Sequence, residues 1–116
     1  MRLAIIGSRT FDDLVCAKKV YEKLLGGFRV DQIISGGAKG ADLISKQIAE
    51  FYNVDYLEFP AEWDKHGKSA GFRRNQQIID ACQVVLAFHD GKSKGTEHSI
   101  NLAREAKKHT LIWYFQ

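Results

Sequence analysis

Eight of the ten glycines in this 116-residue sequence fall in four short stretches. These are "GSRTF" at 7–11, "SGGAKGAD" at 35–42, "PAEWDKHGKSAGFRRN" at 60–75 and "DGKSKGTE" at 90–97. The same stretches hold the cations Arg9, Lys39, Lys65, Lys68, Arg73, Arg74, Lys92 and Lys94. A glycine-rich turn lets backbone N–H groups approach a ligand closely. The positive end of a helix that follows it adds to the attraction for phosphate or carboxylate. Two stretches have this form. In "SGGAKGAD" the candidate contacts are Ser35, Gly36, Gly37, Lys39, Gly40 and Asp42. In "DGKSKGTE" they are Asp90, Gly91, Ser93, Gly95 and Thr96, whose hydroxyl can donate. Either turn alone serves a sharp chain reversal equally well; two of them together favour an anion cradle.

Better-known phosphate motifs are missing. "GKS" occurs at 67–69 and 91–93, but the P-loop needs a glycine five residues earlier, where Glu62 and Leu86 stand. The dinucleotide fingerprint fails as well, because one glycine, Gly7, follows the first apolar run where three are needed. His66, His89, His98 and His109 show no HxH or HxxxH spacing, and Cys16 and Cys82 no CxxC, so no metal site is expected. Both cysteines read as reduced thiols of the core.

The elements that must position these residues follow from the apolar pattern. Continuous runs at "LAII", "QIIS", "VDYLEF", "VVLAF" and "TLIWYF" have the form of strands covered on both faces. Between them, helical spacing links Leu14, Ala17, Tyr21, Leu24 and Leu25, then Ile44, Ile48, Phe51 and Tyr52. It recurs at Phe72, Ile79 and Cys82, and at Ile100, Ala103 and Ala106. Asp12 and Asp13 open the first helix and Gly26 and Gly27 close it. "AEWDKHGKSAG" reads as a polar connection. Five strands alternating with four helices predict an α/β fold, a Rossmann-like, doubly wound, five-stranded parallel sheet with helices on both faces, as one domain over 1–116. Ligands of such sheets bind beyond the carboxyl ends of the strands, where all four stretches fall.

Apolar residues at 45%, charged residues at 27% and a net charge of +3 describe an ordinary folded protein. The charge is too small to argue for nucleic acid by itself. No run is long enough to span a bilayer, and "MRLAIIGSR" is too short an apolar stretch for a signal peptide, so a cytoplasmic location is expected.

Taken together, the four stretches resemble the SLOG superfamily, named for the Smf/DprA and LOG proteins, and within it the small YspA/YpsA-related branch. The matching pieces are "GSRTF", "IISGGAKGAD", "FPAEWDKHGKSAGFRRN" and "LAFHDGKSKGTEHSI", in the family's order. The resemblance implies a nucleotide or nucleotide-derived ligand. Phosphate would lie at Gly36, Gly37, Gly40, Gly95 and Thr96, with Gly7, Ser8 and Arg9 beside the first strand. LOG enzymes, similar in these loops, hydrolyse the N-glycosidic bond of a nucleoside monophosphate, using an arginine that Arg74 matches and a glutamate three residues after the threonine of "GT". Here that position is Ser99. Glu97 lies two residues away from it, about 200° around a helix.

The reading that follows is a binding protein, acting as sensor, carrier or sequestering protein for a nucleotide-derived small molecule, without cofactor. The alternative is a LOG-like phosphoribohydrolase with Arg74 and Glu97 as catalytic candidates. A weaker alternative is DprA-like nucleic-acid binding, which the lack of aromatic residues among the cations disfavours. Arg73 and Arg74 are adjacent, so only one can enter a pocket; Arg74, with Asn75 beside it, is the candidate. Trp63 suits either stacking on a base or covering the core. Asp42 suits either the ligand or the first turn of its helix. Likeness to LOG proteins also implies a homodimer or higher homo-oligomer.

Overall fold

The structure, a computed structural model, describes residues 1–115. Five strands, β1 (Arg2–Gly7), β2 (Gln32–Ser35), β3 (Asp55–Glu58), β4 (Val84–His89) and β5 (His109–Tyr114), form one parallel sheet in the order β3-β2-β1-β4-β5. The helices are α1 (Leu14–Leu25), α2 (Ala41–Phe51), α3 (Trp63–His66), α4 (Ala70–Ala81) and α5 (Lys94–Glu105). This is the α/β, Rossmann-like, doubly wound arrangement predicted from the apolar pattern.

The middle positions of the central strands, residues 3–6, 33–34 and 85–88, are apolar throughout because each face meets a helical layer. On β1, Leu3 and Ile5 pack with Leu86 and Phe88 of β4 against α1 and α2, contributing to one core that includes Val20, Leu25, Ile44 and Ile48. Ala4 and Ile6 pack with Val85 and Ala87 against α4 and α5, where Ile78, Ile79, Cys82, Ile100 and Ala103 complete the other core. Phe11 stacks on Phe88 with ring centroids 4.4 Å apart and planes 9° from parallel, pinning the loop after β1 onto the sheet. Cys82 is buried, Cys16 is partly covered, and both are free.

Three details differ from the sequence reading. The connection after β3 carries α3 and a 3₁₀ turn (Gly67–Ser69) that runs into α4. Four helical residues hold too little apolar periodicity to be recognised. Phe51 and Phe72, expected on buried faces, are 63% and 57% exposed. Phe51 ends α2, where it meets Tyr52 edge-on and lies under the Lys18 ammonium. Phe72, in the first turn of α4, packs on His98 of α5 instead of on the sheet. Ala106 lies just past α5 and is exposed.

β1 and β4 are neighbours, yet the chain leaves β1 for the α1 face and β4 for the α5 face. Their carboxyl ends flank the crevice where the strand order reverses.

Candidate functional site

A cleft of about 110 Å³ opens at that crevice. Ile6, Gly7 and Arg9 line it from β1 and the following loop, Ala38 and Asp42 from the glycine loop and the start of α2. Arg74, Asn75 and Ile78 come from α4, and Ser93, Gly95, Thr96 and Ser99 from α5 and its cap.

The α5 wall is a capped helix N-terminus. The Ser93 hydroxyl accepts from the Thr96 N–H at 3.2 Å and from the Thr96 hydroxyl at 2.9 Å. Asp90 Oδ1 accepts from the N–H groups of Lys92 and Ser93, both at 2.8 Å, and so shapes the turn ahead of the cap. These two bonds hold the Asp90 carboxyl below its usual range. Among the described residues the N–H groups of Lys94 and Gly95 have no acceptor, as befits a first helical turn. A Cβ added at Gly95 would meet nothing within 4 Å. Glycine this early in a helix lowers its stability relative to alanine, and here no protein contact requires it.

The glycines of the first loop have protein reasons. Gly40 has φ 77°, and a Cβ there would run into the carbonyl oxygens of Ser8 and Arg9. A Cβ at Gly36 would collide with Arg74, whose Nη1 donates to the Gly36 carbonyl at 3.0 Å while its Nε donates to Asn75 Oδ1 at 3.1 Å. The loop thus docks on β1's following turn and receives the Arg74 side chain. Beneath it, buried Ser35 shares a hydrogen bond with the Tyr56 hydroxyl at 2.9 Å, and Tyr56 donates to Glu58 at 3.1 Å.

Asp42 is 8% exposed. Its Oδ2 accepts from the Ala38 N–H at 3.2 Å. Burial pushes its carboxyl up to about 6; the Ala38 N–H and the Arg74 guanidinium oppose the rise, and the Glu58 carboxylate adds to it. Asp42 is the one carboxylate among the residues lining the cleft, against two cations, Arg9 and Arg74.

Several residues singled out in the sequence lie elsewhere. Ser8 is buried, donating its N–H to the Phe88 carbonyl and accepting from the Asp90 N–H at 3.1 Å, so it fastens the two loops together. Lys39 is exposed at the rim, as are Gly37 and Gly91. Trp63 on α3 is 55% exposed and does not line the cleft. Arg73 points away, its Nε donating to the Ser69 hydroxyl. Glu97 also lies outside the cleft and pairs with His89, Nε2 to Oε2 2.9 Å. His89 Nδ1 accepts from the Gly91 N–H at 3.0 Å, so the ring proton sits on Nε2 and goes to Glu97. Glu97 points away for the reason helical geometry gives: Ser99, three residues after Thr96, shares the cleft face.

The sequence did not single out Ile6, Ala38, Ile78 or Ser99 as lining residues, nor His98, whose Nδ1 lies 3.3 Å from Asn75 Nδ2. Helical spacing from Arg74 and Thr96 was the available signal for Ile78 and Ser99. His98 had none. Among the described residues there is no cluster of three or more metal-ligating side chains, and no helix is long and apolar enough to cross a membrane.

Comparison with known proteins agrees with this architecture. The Gene 61 protein of Mycobacterium phage D29 is 40% identical over 80 residues, covering 64% of this chain and 64% of that protein. The chain therefore matches less than two thirds of the relative's length. DNA processing protein A from Helicobacter pylori, described for its single-stranded DNA binding mode, has a solved structure that matches 97% of this chain and 64% of its own. The TM-score is 0.71 at 23% identity, a likeness of fold. Residues 1–66, which run from β1 through the glycine loop to α3, match the YAcAr family, and the chain belongs to this YspA, cpYpsA-related SLOG family.

Proposed function

We propose that the cleft binds the phosphate end of a nucleotide or nucleotide-derived small molecule, and that the protein acts as a sensor, carrier or sequestering protein for it. The observation that carries this reading is the convergence of Arg9, Arg74 and the first turn of α5 on one cleft, with open space over Gly95. Two guanidinium groups and unpaired helix N–H groups are complementary to a phosphate. The small-anion reading draws on two loops that meet; it needs no extended basic surface.

Native mass spectrometry of the purified protein tests it. A phosphorylated small molecule is expected to copurify with the wild type and to be lost from Arg74→Ala. Failure to copurify any, together with no binding of added nucleotides at millimolar concentration, would overturn the reading.

The hydrolase alternative would have to use Asp42, because Glu97 is engaged with His89 outside the cleft. Release of free base from nucleoside monophosphates, abolished in Asp42→Asn, would establish it. A second reading, single-stranded DNA binding, draws on the fold shared with DNA processing protein A and on the exposed Arg9, Lys39, Lys65, Lys68, Lys92 and Lys94 at the same sheet edge. That reading requires oligonucleotide affinity that falls steeply with salt. Pairing of copies belongs to the proposal too: Trp63 and Phe72 expose apolar surface near the site, and sedimentation of the chain as a monomer would contradict it.

A further inference from the structure

The cleft holds one feature that a plain anion site would avoid. Asp42 brings a nine-tenths buried carboxylate into it, on the same cavity lining as Arg9 and Arg74. The Arg74 hydrogen bonds go elsewhere than Asp42, Nη1 to the Gly36 carbonyl and Nε to Asn75 Oδ1. The Asp42 carboxylate accepts from the Ala38 N–H at Oδ2, and the Gly36 N–H also favours its charged form; facing the cleft, it keeps lone pairs for a further donor. A phosphate entering beside this group meets a like charge. A ligand that covered the carboxylate without donating to it would cost free energy as well. The ligand must therefore carry hydrogen-bond donors next to its phosphate.

Size says where those donors sit. The cleft, about 110 Å³, is smaller than the roughly 300–1,000 Å³ of pockets that enclose most of a drug-sized ligand. It accommodates the phosphate and the group attached to it, with the remainder outside. In a nucleotide the attached group is the sugar, whose free hydroxyls are donors.

We propose that Asp42 is the specificity residue for a ribose: it accepts hydrogen bonds from the sugar hydroxyls of the bound phosphate ester and discriminates against a sugar that lacks them. This rests on the phosphate-binding reading above. It sharpens that reading by selecting, at the same cleft, a sugar with free hydroxyls over one without them.

Titration calorimetry with AMP and with 2′,3′-dideoxy-AMP, on the wild type and on Asp42→Asn, tests it. A hydrogen bond to a charged group predicts that the wild type binds AMP at least about tenfold more tightly than the dideoxy compound. Asp42→Asn should bring the two affinities together mainly by weakening AMP, with the dideoxy compound bound as well or better. Equal wild-type affinities would overturn the inference while leaving phosphate binding standing, and so would a preference that survives Asp42→Asn. If the variant does not fold, the wild-type comparison still decides. Binding of neither compound at millimolar concentration would overturn the phosphate reading and this inference with it.

Discussion

Asp42 costs the fold stability at neutral pH, and the direction of its shift says when. Its carboxyl lies at about 6 in the fold against 3.8 ordinarily. Below the ordinary value the group is protonated in both states and exacts no penalty. Between about 4 and 6 the folded protein holds a proton that the unfolded chain has released, so stability falls as pH rises through this window. Above it the full penalty applies, on the order of 3 kcal/mol from a shift of about two units. Asp42→Asn, which keeps the shape and an acceptor for the Ala38 N–H, should therefore be more stable than the wild type at pH 7, by up to about 3 kcal/mol, and nearly equal to it at pH 3.5. Urea unfolding of both proteins at the two pH values measures this. A variant less stable at pH 7 would contradict it. The position of Asp42 at the start of a helix was legible in the sequence. Its burial was not, because burial depends on how α4 and the glycine loop close over it. The same limit applies to Ser8 and Ser35, polar residues in pocket-like motifs that the fold uses to tie loops together.

At the scale of elements, the two glycine loops looked alike as sequence and differ in structure. Helix starts, turn residues and Asp13 as the cap of α1, accepting from the Cys16 N–H at 2.9 Å, were readable from local chemistry. Why each glycine is a glycine was not, since that depends on what packs against it. Gly40→Ala should destabilise the protein markedly, by 2 kcal/mol or more on the order-of-magnitude scale for a strained backbone position that also meets a steric clash. Thermal melts of the pure variants would show it, and a Gly40→Ala protein as stable as the wild type would refute the packing of the loop on the backbone at Ser8 and Arg9. On α5 the cap should be worth about 1 kcal/mol, the usual loss for Ser→Ala at such a position, so Ser93→Ala should unfold at correspondingly lower urea. No change would mean that Thr96 does not depend on it. The α3 segment was missed because a four-residue helix is held by its neighbours and leaves little pattern of its own.

For the whole molecule, the doubly wound parallel sheet followed from apolar runs and right-handed crossovers, which place the four loops on one sheet edge before any side chain is considered, while the strand order did not. What topology alone could not supply was the convergence within that edge: Arg74 and Thr96 are 22 positions apart in sequence and line the same cleft. The central claim is that a phosphate occupies the space over Gly95. Titration calorimetry of AMP into the wild type and Gly95→Val tests it most directly, with circular dichroism and a thermal melt establishing that both are folded. A Cβ there meets no protein atom within 4 Å, so the variant should keep its fold and melt close to the wild type, while AMP affinity drops at least about tenfold, equivalent to 1.4 kcal/mol. A folded Gly95→Val protein that binds AMP as tightly as the wild type would contradict the account.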